Sequence, residues 1–266
     1  MADIAVNGAR LHYVQSGYGP ETIVFAHGLL MSHRMYEQQI EQLKKHYRCI
    51  AFDFRGQGHS EVTKTGYDID TLTQDVAALI EQLHAAPCHF AGLSMGGFVG
   101  MRLAIRRPDL LRSLILLNTS AAPESKAKVR QYRLLAFVAR WFGLKVVVGR
   151  VMPILFGQKF LKDPARAAIR QQWREHLVSN DRTGVIRATM GVIEREAIYD
   201  SLDRIIIPTL IIGGEKDMAL PPAKSERIHA AIPRSNLTII PDCGHSSTIE
   251  EPAAVTNAIS HFLRRL

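Results

Sequence analysis

Six short runs of the chain, 22–26, 48–52, 89–93, 112–117, 209–212 and 237–240, are apolar at nearly every position, and helix-length segments separate most of them. A strand with one face in water alternates apolar and polar residues, whereas a run that is apolar at both parities needs cover on both faces. A mostly parallel sheet with helices packed on each side provides that cover. The intervening segments supply the helices: in 70–84, Leu72, Val76, Leu79, Ile80 and Leu83 recur at the spacing of one helical face. Ahead of the first run, Asn7-Gly8 lies between the stretches 3–6 and 10–14 and has the chemistry of a two-residue hairpin turn, which needs positive φ at both central positions. The pattern predicts an α/β fold with an eight-stranded, mostly parallel sheet, helices on both faces and an antiparallel opening pair.

The alternation stops between about residues 120 and 197, where no strand is read and four helices are, at 125–142, 144–155, 164–178 and 183–196. This divides the chain into an α/β core, 1–120 and 198–266, and a helical cap, 121–197. Ligands of such sheets bind outside the carboxyl ends of the strands, so an insertion leaving from a strand's carboxyl end can roof the site. The formal charge of +8 is concentrated in the same place: residues 122–197 hold 15 Lys/Arg against 6 Asp/Glu, and the rest of the chain sums to −1. These cations are spread along amphipathic stretches without the aromatic or Gly-rich motifs of nucleic-acid modules. A solvated helical face and no nucleic-acid partner are expected.

The most apolar segment, 144–156, is broken by Lys145, Arg150 and Pro153 and is too short for a bilayer span, so no membrane partner is expected. The first eight residues lack the basic patch and apolar run of a secretory signal, which predicts a cytoplasmic protein; a homo-oligomer stays open. Cys49, Cys88 and Cys243 are odd in number, far apart and without a nearby zinc-type partner, and are expected to be reduced, buried thiols.

The strongest chemical signal is Gly92-Leu93-Ser94-Met95-Gly96, which follows an apolar run and opens a helix. A serine on a tight strand-to-helix turn projects into solvent, and small residues two places to either side avoid clashes. A serine hydroxyl is a weak nucleophile until a base takes its proton. His245, in the loop Pro241-Asp242-Cys243-Gly244-His245-Ser246 after the last strand, is the candidate base, with His27 as its rival. The base needs an acid that holds its tautomer, and Asp217, after the penultimate strand, is the candidate, ahead of Glu215 and Asp242. The backbone N–H groups of Met95 and Leu29 are the candidate donors to a developing oxyanion. Leu30, Trp141, Met152 and Leu155 are the candidate substrate contacts, and neither a metal nor an organic cofactor is expected.

On these motifs, together with Asp53-Phe54-Arg55-Gly56-Gln57-Gly58-His59-Ser60, the chain resembles the α/β-hydrolase superfamily along nearly its whole length. Gly92-Leu93-Ser94-Met95-Gly96-Gly97 and Leu116-Leu117-Asn118-Thr119-Ser120 most resemble the 3-oxoadipate enol-lactonases and related small carboxylesterases and lactonases, including acyl-homoserine lactonases. The resemblance implies a serine esterase or lactonase acting on a small-molecule ester or lactone through an acyl-enzyme. Ser94 stands where haloalkane dehalogenases and epoxide hydrolases carry Asp, and Gly28-Leu29-Leu30 stands where carbon–carbon bond hydrolases carry Gly-Pro-Gly. The alternatives are such a diketone hydrolase and a ligand receptor on the same fold.

Overall fold

Asn7 and Gly8 both have positive φ, 44° and 73°, in the computed structural model, which describes residues 2–266. The turn joins β1 (Ala2–Val6) to β2 (Ala9–Ser16) as the expected antiparallel pair. The remaining strands are β3 (Thr22–Ala26), β4 (Arg48–Phe52), β5 (Cys88–Leu93), β6 (Leu111–Leu117), β7 (Thr209–Gly214) and β8 (Ser235–Ile240). They form one eight-stranded sheet in the order β1-β2-β4-β3-β5-β6-β7-β8, antiparallel at β1/β2 and β2/β4 and parallel elsewhere.

The two-sided burial inferred from the apolar runs is met at nearly every position of β3 to β7, whereas β8, at the edge of the sheet, is only partly buried before Ile240. In β3, Val24 and Ala26 enter one core and Ile23 and Phe25 the other; in β6, Leu114 and Leu116 separate from Ile115 and Leu117 in the same way. Helices α1 (Glu37–Leu43), α2 (Ile69–Gln82) and α3 (Met95–Arg106) follow β3, β4 and β5. After β3 the chain passes to β4 on one side and then to β5 on the other, so the loops leaving β3 and β5 meet at a switch point of the sheet, where α/β folds hold ligands.

Between β6 and β7 the chain makes α4 (Lys126–Phe142), α5 (Leu144–Leu155), α6 (Gln158–Lys162), α7 (Ala167–Ser179) and α8 (Arg182–Ile193), with no strand. The short α6 is absent from the sequence reading because five residues show no period. Pro164 begins a separate tight turn, capped by the Asp163 carboxylate accepting the Ala165 N–H at 2.9 Å, so α7 starts three residues later than expected. Helices α9 (Pro222–Ala231), α10 (Ser247–Glu250) and α11 (Pro252–Leu263) complete the chain. No helix of the described residues is long and apolar enough to cross a membrane.

Candidate active site

Ser94 joins β5 to α3 with φ 52° and ψ −108°, a conformation that costs about 1–3 kcal/mol for a side-chain-bearing residue. Its neighbours hold it there: Ser94 N–H donates to the Leu117 carbonyl at 2.9 Å, and the Ser94 carbonyl accepts the Thr119 hydroxyl at 2.8 Å and the Gly97 N–H at 2.9 Å. The glycines of the motif are required by close approach. A Cβ on Gly92 would collide with the Gly96 carbonyl, and one on Gly96 with the Ala26 carbonyl of β3.

His245 and Asp217 come from the loops after β8 and β7, and both are at least 95% buried. Nδ1 of His245 lies 2.8 Å from Asp217 Oδ2. A carboxylate only accepts, so Nδ1 carries a proton, and in the neutral ring Nε2 is the acceptor. Asp217 is itself fixed by three further donors: Asn118 Nδ2 to Oδ2 at 3.0 Å, and the Ala219 and Leu220 N–H groups to Oδ1 at 2.8 Å each. Glu215 points elsewhere, accepting the Asp242 N–H at 2.9 Å on the exposed side of the loop.

His27 is engaged at both ring nitrogens by backbone, Nδ1 donating to the Gly28 carbonyl at 2.7 Å and Nε2 accepting the Phe54 N–H at 2.9 Å. Burial pushes its pKa below the usual imidazole range. It braces the β3 loop and has no ring atom left for a second task. In that loop the Leu30 N–H donates to Gln57 Oε1 at 2.7 Å and the Met31 N–H to the Gly28 carbonyl at 3.1 Å. The Leu29 N–H, one residue ahead of these, has no protein acceptor among the described residues, nor has the Met95 N–H at the start of α3.

Glu250 was not singled out from the sequence, and Asn118 and Gln57 entered it only as members of the quoted motifs. Asn118 adopts φ 44°, which Asn tolerates better than most residues, and its amide bridges Asp217 and the Gly244 carbonyl. Glu250, 2% exposed, accepts the Gly244 and Ser246 N–H groups on either side of His245 at 2.9 and 3.0 Å, and the Gly157 N–H of the insertion at 2.9 Å. Burial pushes the Glu250 carboxyl up, and these three N–H groups pull it back in part. Gln57, 1% exposed, links the β3 loop to the Met95 side chain. The segment around it is pinned by Asp53, which accepts the N–H groups of His33 and His59, and by a buried two-pronged pair of Arg55 with Asp75 at 2.7 Å per contact.

Ser94 and His245 open into one pocket of about 1000 Å³, including its mouth, roofed by α4, α5 and α8. Leu29, Leu30 and Leu155 line it. Trp141 and Met152 do not, which corrects the sequence expectation. On α4 the pocket face carries Tyr132, Leu135, Ala136 and Ala139; Trp141 falls on the opposite face, 65% exposed. Met152, 7% exposed, is instead a member of the buried core cluster that includes Phe156, Phe160 and Trp173. None of the lining residues is Lys or Arg, although residues 122–197 carry 15 of the chain's 33 Lys/Arg. The one lining carboxylate, Glu124, is held by Arg195 at 3.3 Å, and burial pushes the Tyr132 phenol up to about 12. All three cysteines are buried, and burial pushes the Cys49 and Cys88 thiols up to about 12 and the Cys243 thiol higher, so none is poised to react.

A parallel-rich eight-stranded sheet with a serine on a strained turn after β5, and an Asp–His pair after β7 and β8, belongs with one broad class of enzymes. The chain is a member of the alpha/beta hydrolase family, whose pattern it matches over residues 23–258, and it is a hydrolase of that family. It is similar to 3-oxoadipate enol-lactonase 2 of Acinetobacter baylyi, at 29% identity over 98% of this chain and 96% of the relative. Among solved structures it is similar to an enol-lactonase from Burkholderia xenovorans LB400 (31% identity, 99% of this chain and 100% of the other, TM-score 0.92). It is also similar to a thermophilic esterase from Thermogutta terrifontis (29% identity, 99% and 98%, TM-score 0.92).

Proposed function

We propose that this chain is a serine hydrolase of neutral carboxylic esters or lactones bearing an apolar acyl group, with Ser94, His245 and Asp217 as its catalytic triad. In this reading, Nε2 of His245 takes the Ser94 proton as Oγ bonds to the substrate carbonyl carbon. The N–H groups of Leu29 and Met95 hold the oxyanion. Collapse breaks the bond to the alcohol oxygen, which takes the proton from His245 and, in a lactone, stays tethered to the product. Water activated by the same nitrogen then hydrolyses the acyl-enzyme. Residues 121–197 act as the cap that selects the acyl group.

The observation that carries the substrate class is the composition of the pocket: aliphatic side chains around Ser94 and His245, with no cation. Burying a carboxylate there would leave it without a partner, beside Glu124, at a cost of several kcal/mol. A carboxylated enol-lactone therefore fits this pocket less well than a neutral acyl ester or an acyl-homoserine lactone.

The test is a panel of short esters, long esters, acyl-homoserine lactones and a carboxylated enol-lactone, run beside Ser94→Ala. Multiple turnovers with the neutral acyl substrates, a fall of several orders of magnitude in Ser94→Ala and weak turnover of the anion are expected. Retained activity in Ser94→Ala refutes the nucleophile, and a preference for the anion refutes the substrate class.

A further inference from the structure

Of the ten large apolar side chains that stand exposed among the described residues, five fall within thirteen positions of the insertion: Leu134, Phe137, Trp141, Phe142 and Val146, each 59–70% exposed. Isolated exposed apolar residues are ordinary, whereas a contiguous patch marks a surface that meets something. On α4, Leu134, Phe137 and Trp141 recur at i, i+3 and i+7 and so form one stripe, and only Ala139 of the helix is fully buried. The opposite face of α4 walls the pocket. The helix is thus apolar on two sides, and the pocket accounts for one of them.

Charge identifies what suits the other. Residues 126–162 contain nine Lys/Arg and no Asp or Glu. Arg130, Arg133 and Arg140 flank the stripe on α4, and Lys145 and Arg150 continue the positive surface along α5. Among the described residues only Arg133 of these five forms an ion pair, with Glu194. A solvated face accounts for the cations but leaves the exposed Trp and Phe between them without a reason. A second copy of this patch would bring like charges together. Aromatic and aliphatic side chains set among unpaired Lys and Arg match the boundary of an anionic bilayer, where the rings enter the headgroup region and the cations meet lipid phosphates. At 17 residues with five cations, α4 can lie on such a surface and cannot cross it.

We propose that the outer face of α4 and the start of α5 form a docking surface for an anionic lipid bilayer. This replaces the expectations of a purely solvated face and of no membrane partner. It brings the helix that walls the pocket against the phase in which apolar esters concentrate.

The experiment adds the full chain to vesicles of phosphatidylcholine alone and of phosphatidylcholine with phosphatidylglycerol, without substrate, and follows co-sedimentation and Trp emission. Trp173 is 7% exposed and Trp141 65%, so a blue shift on binding reports Trp141. Binding to the anionic vesicles is expected, weakening with salt. The paired change Leu134→Gln with Phe137→Gln should lower it about tenfold or more, and Arg130→Gln with Arg140→Gln about fivefold per charge. Both pairs lie outside the pocket lining and should keep native thermal melts.

Absence of binding, equal binding to both vesicle types, or native-like binding by either pair overturns the proposal. So does concentration-dependent dimerisation that the Leu134/Phe137 pair abolishes, seen without vesicle binding. Because no turnover is measured, the outcome is independent of the esterase reading.

Discussion

Asp217→Asn tests the acid at the centre of the site, and the hydrogen bonds around it set the expected size of the effect. The carboxylate accepts the Ala219 and Leu220 N–H groups on Oδ1 and the His245 ring and the Asn118 amide on Oδ2, at 2.8–3.0 Å throughout. An asparagine has one oxygen for these two sides. If that oxygen faces His245, the new NH₂ is pressed against two buried backbone donors, each left unpaired at a cost of about 1–3 kcal/mol.

If the oxygen faces the backbone donors instead, only the Asn118 amide loses an acceptor, and it retains the Gly244 carbonyl at 3.1 Å. The second orientation wins by about one such penalty, roughly 1–3 kcal/mol. The NH₂ then donates to Nδ1, the imidazole proton moves to Nε2, and the nitrogen that should accept the Ser94 proton no longer can. A loss of about 10⁴-fold in kcat with the fold intact is expected. The assay is p-nitrophenyl butyrate turnover from pH 5 to 9, with thermal melts run alongside. A loss under tenfold would refute the reasoning and return Glu215 to consideration.

Glu250→Ala removes the acceptor of three buried N–H groups, and a drop in stability of about 3 kcal/mol or more, with a lower kcat from a loosened His245 loop, should appear in urea melts and turnover. Asp53 gives a pH signature: burial works to raise its carboxyl, but the hydrogen bonds from the ring and backbone of His33, aided by positive charge on the neighbouring imidazoles as they protonate, outweigh it and hold the pKa at about 2, against 3.8 for the free group. A depressed carboxyl contributes stability above its unfolded value and loses it as pH falls toward the folded one. Urea melts of Asp53→Asn should therefore be weaker than native at pH 7, with a shallower decline from pH 4 to 2; an unchanged decline would exclude Asp53 as its source.

The features legible in the sequence are those whose causes lie within a few residues. Strands buried on both faces announce themselves by lacking alternation, Asn7-Gly8 by its tolerance of positive φ, and the turn at Ser94 by glycines that must clear carbonyls nearby. The expected pairing of Asp217 with His245 followed from where each loop leaves its strand, and the two groups do meet.

What the tertiary structure decided are partnerships across long stretches of chain. Asn118 reaches Asp217 over 99 positions and Glu250 reaches Gly157 over 93, and no local pattern encodes either. The same holds for α4: apolar residues occupy both of its faces, so periodicity could not say which one covers the pocket. Packing against α5 and α8 turned Leu135, Ala136 and Ala139 inward and left Trp141 outside, because a helix has one buried side and the neighbouring helices choose it.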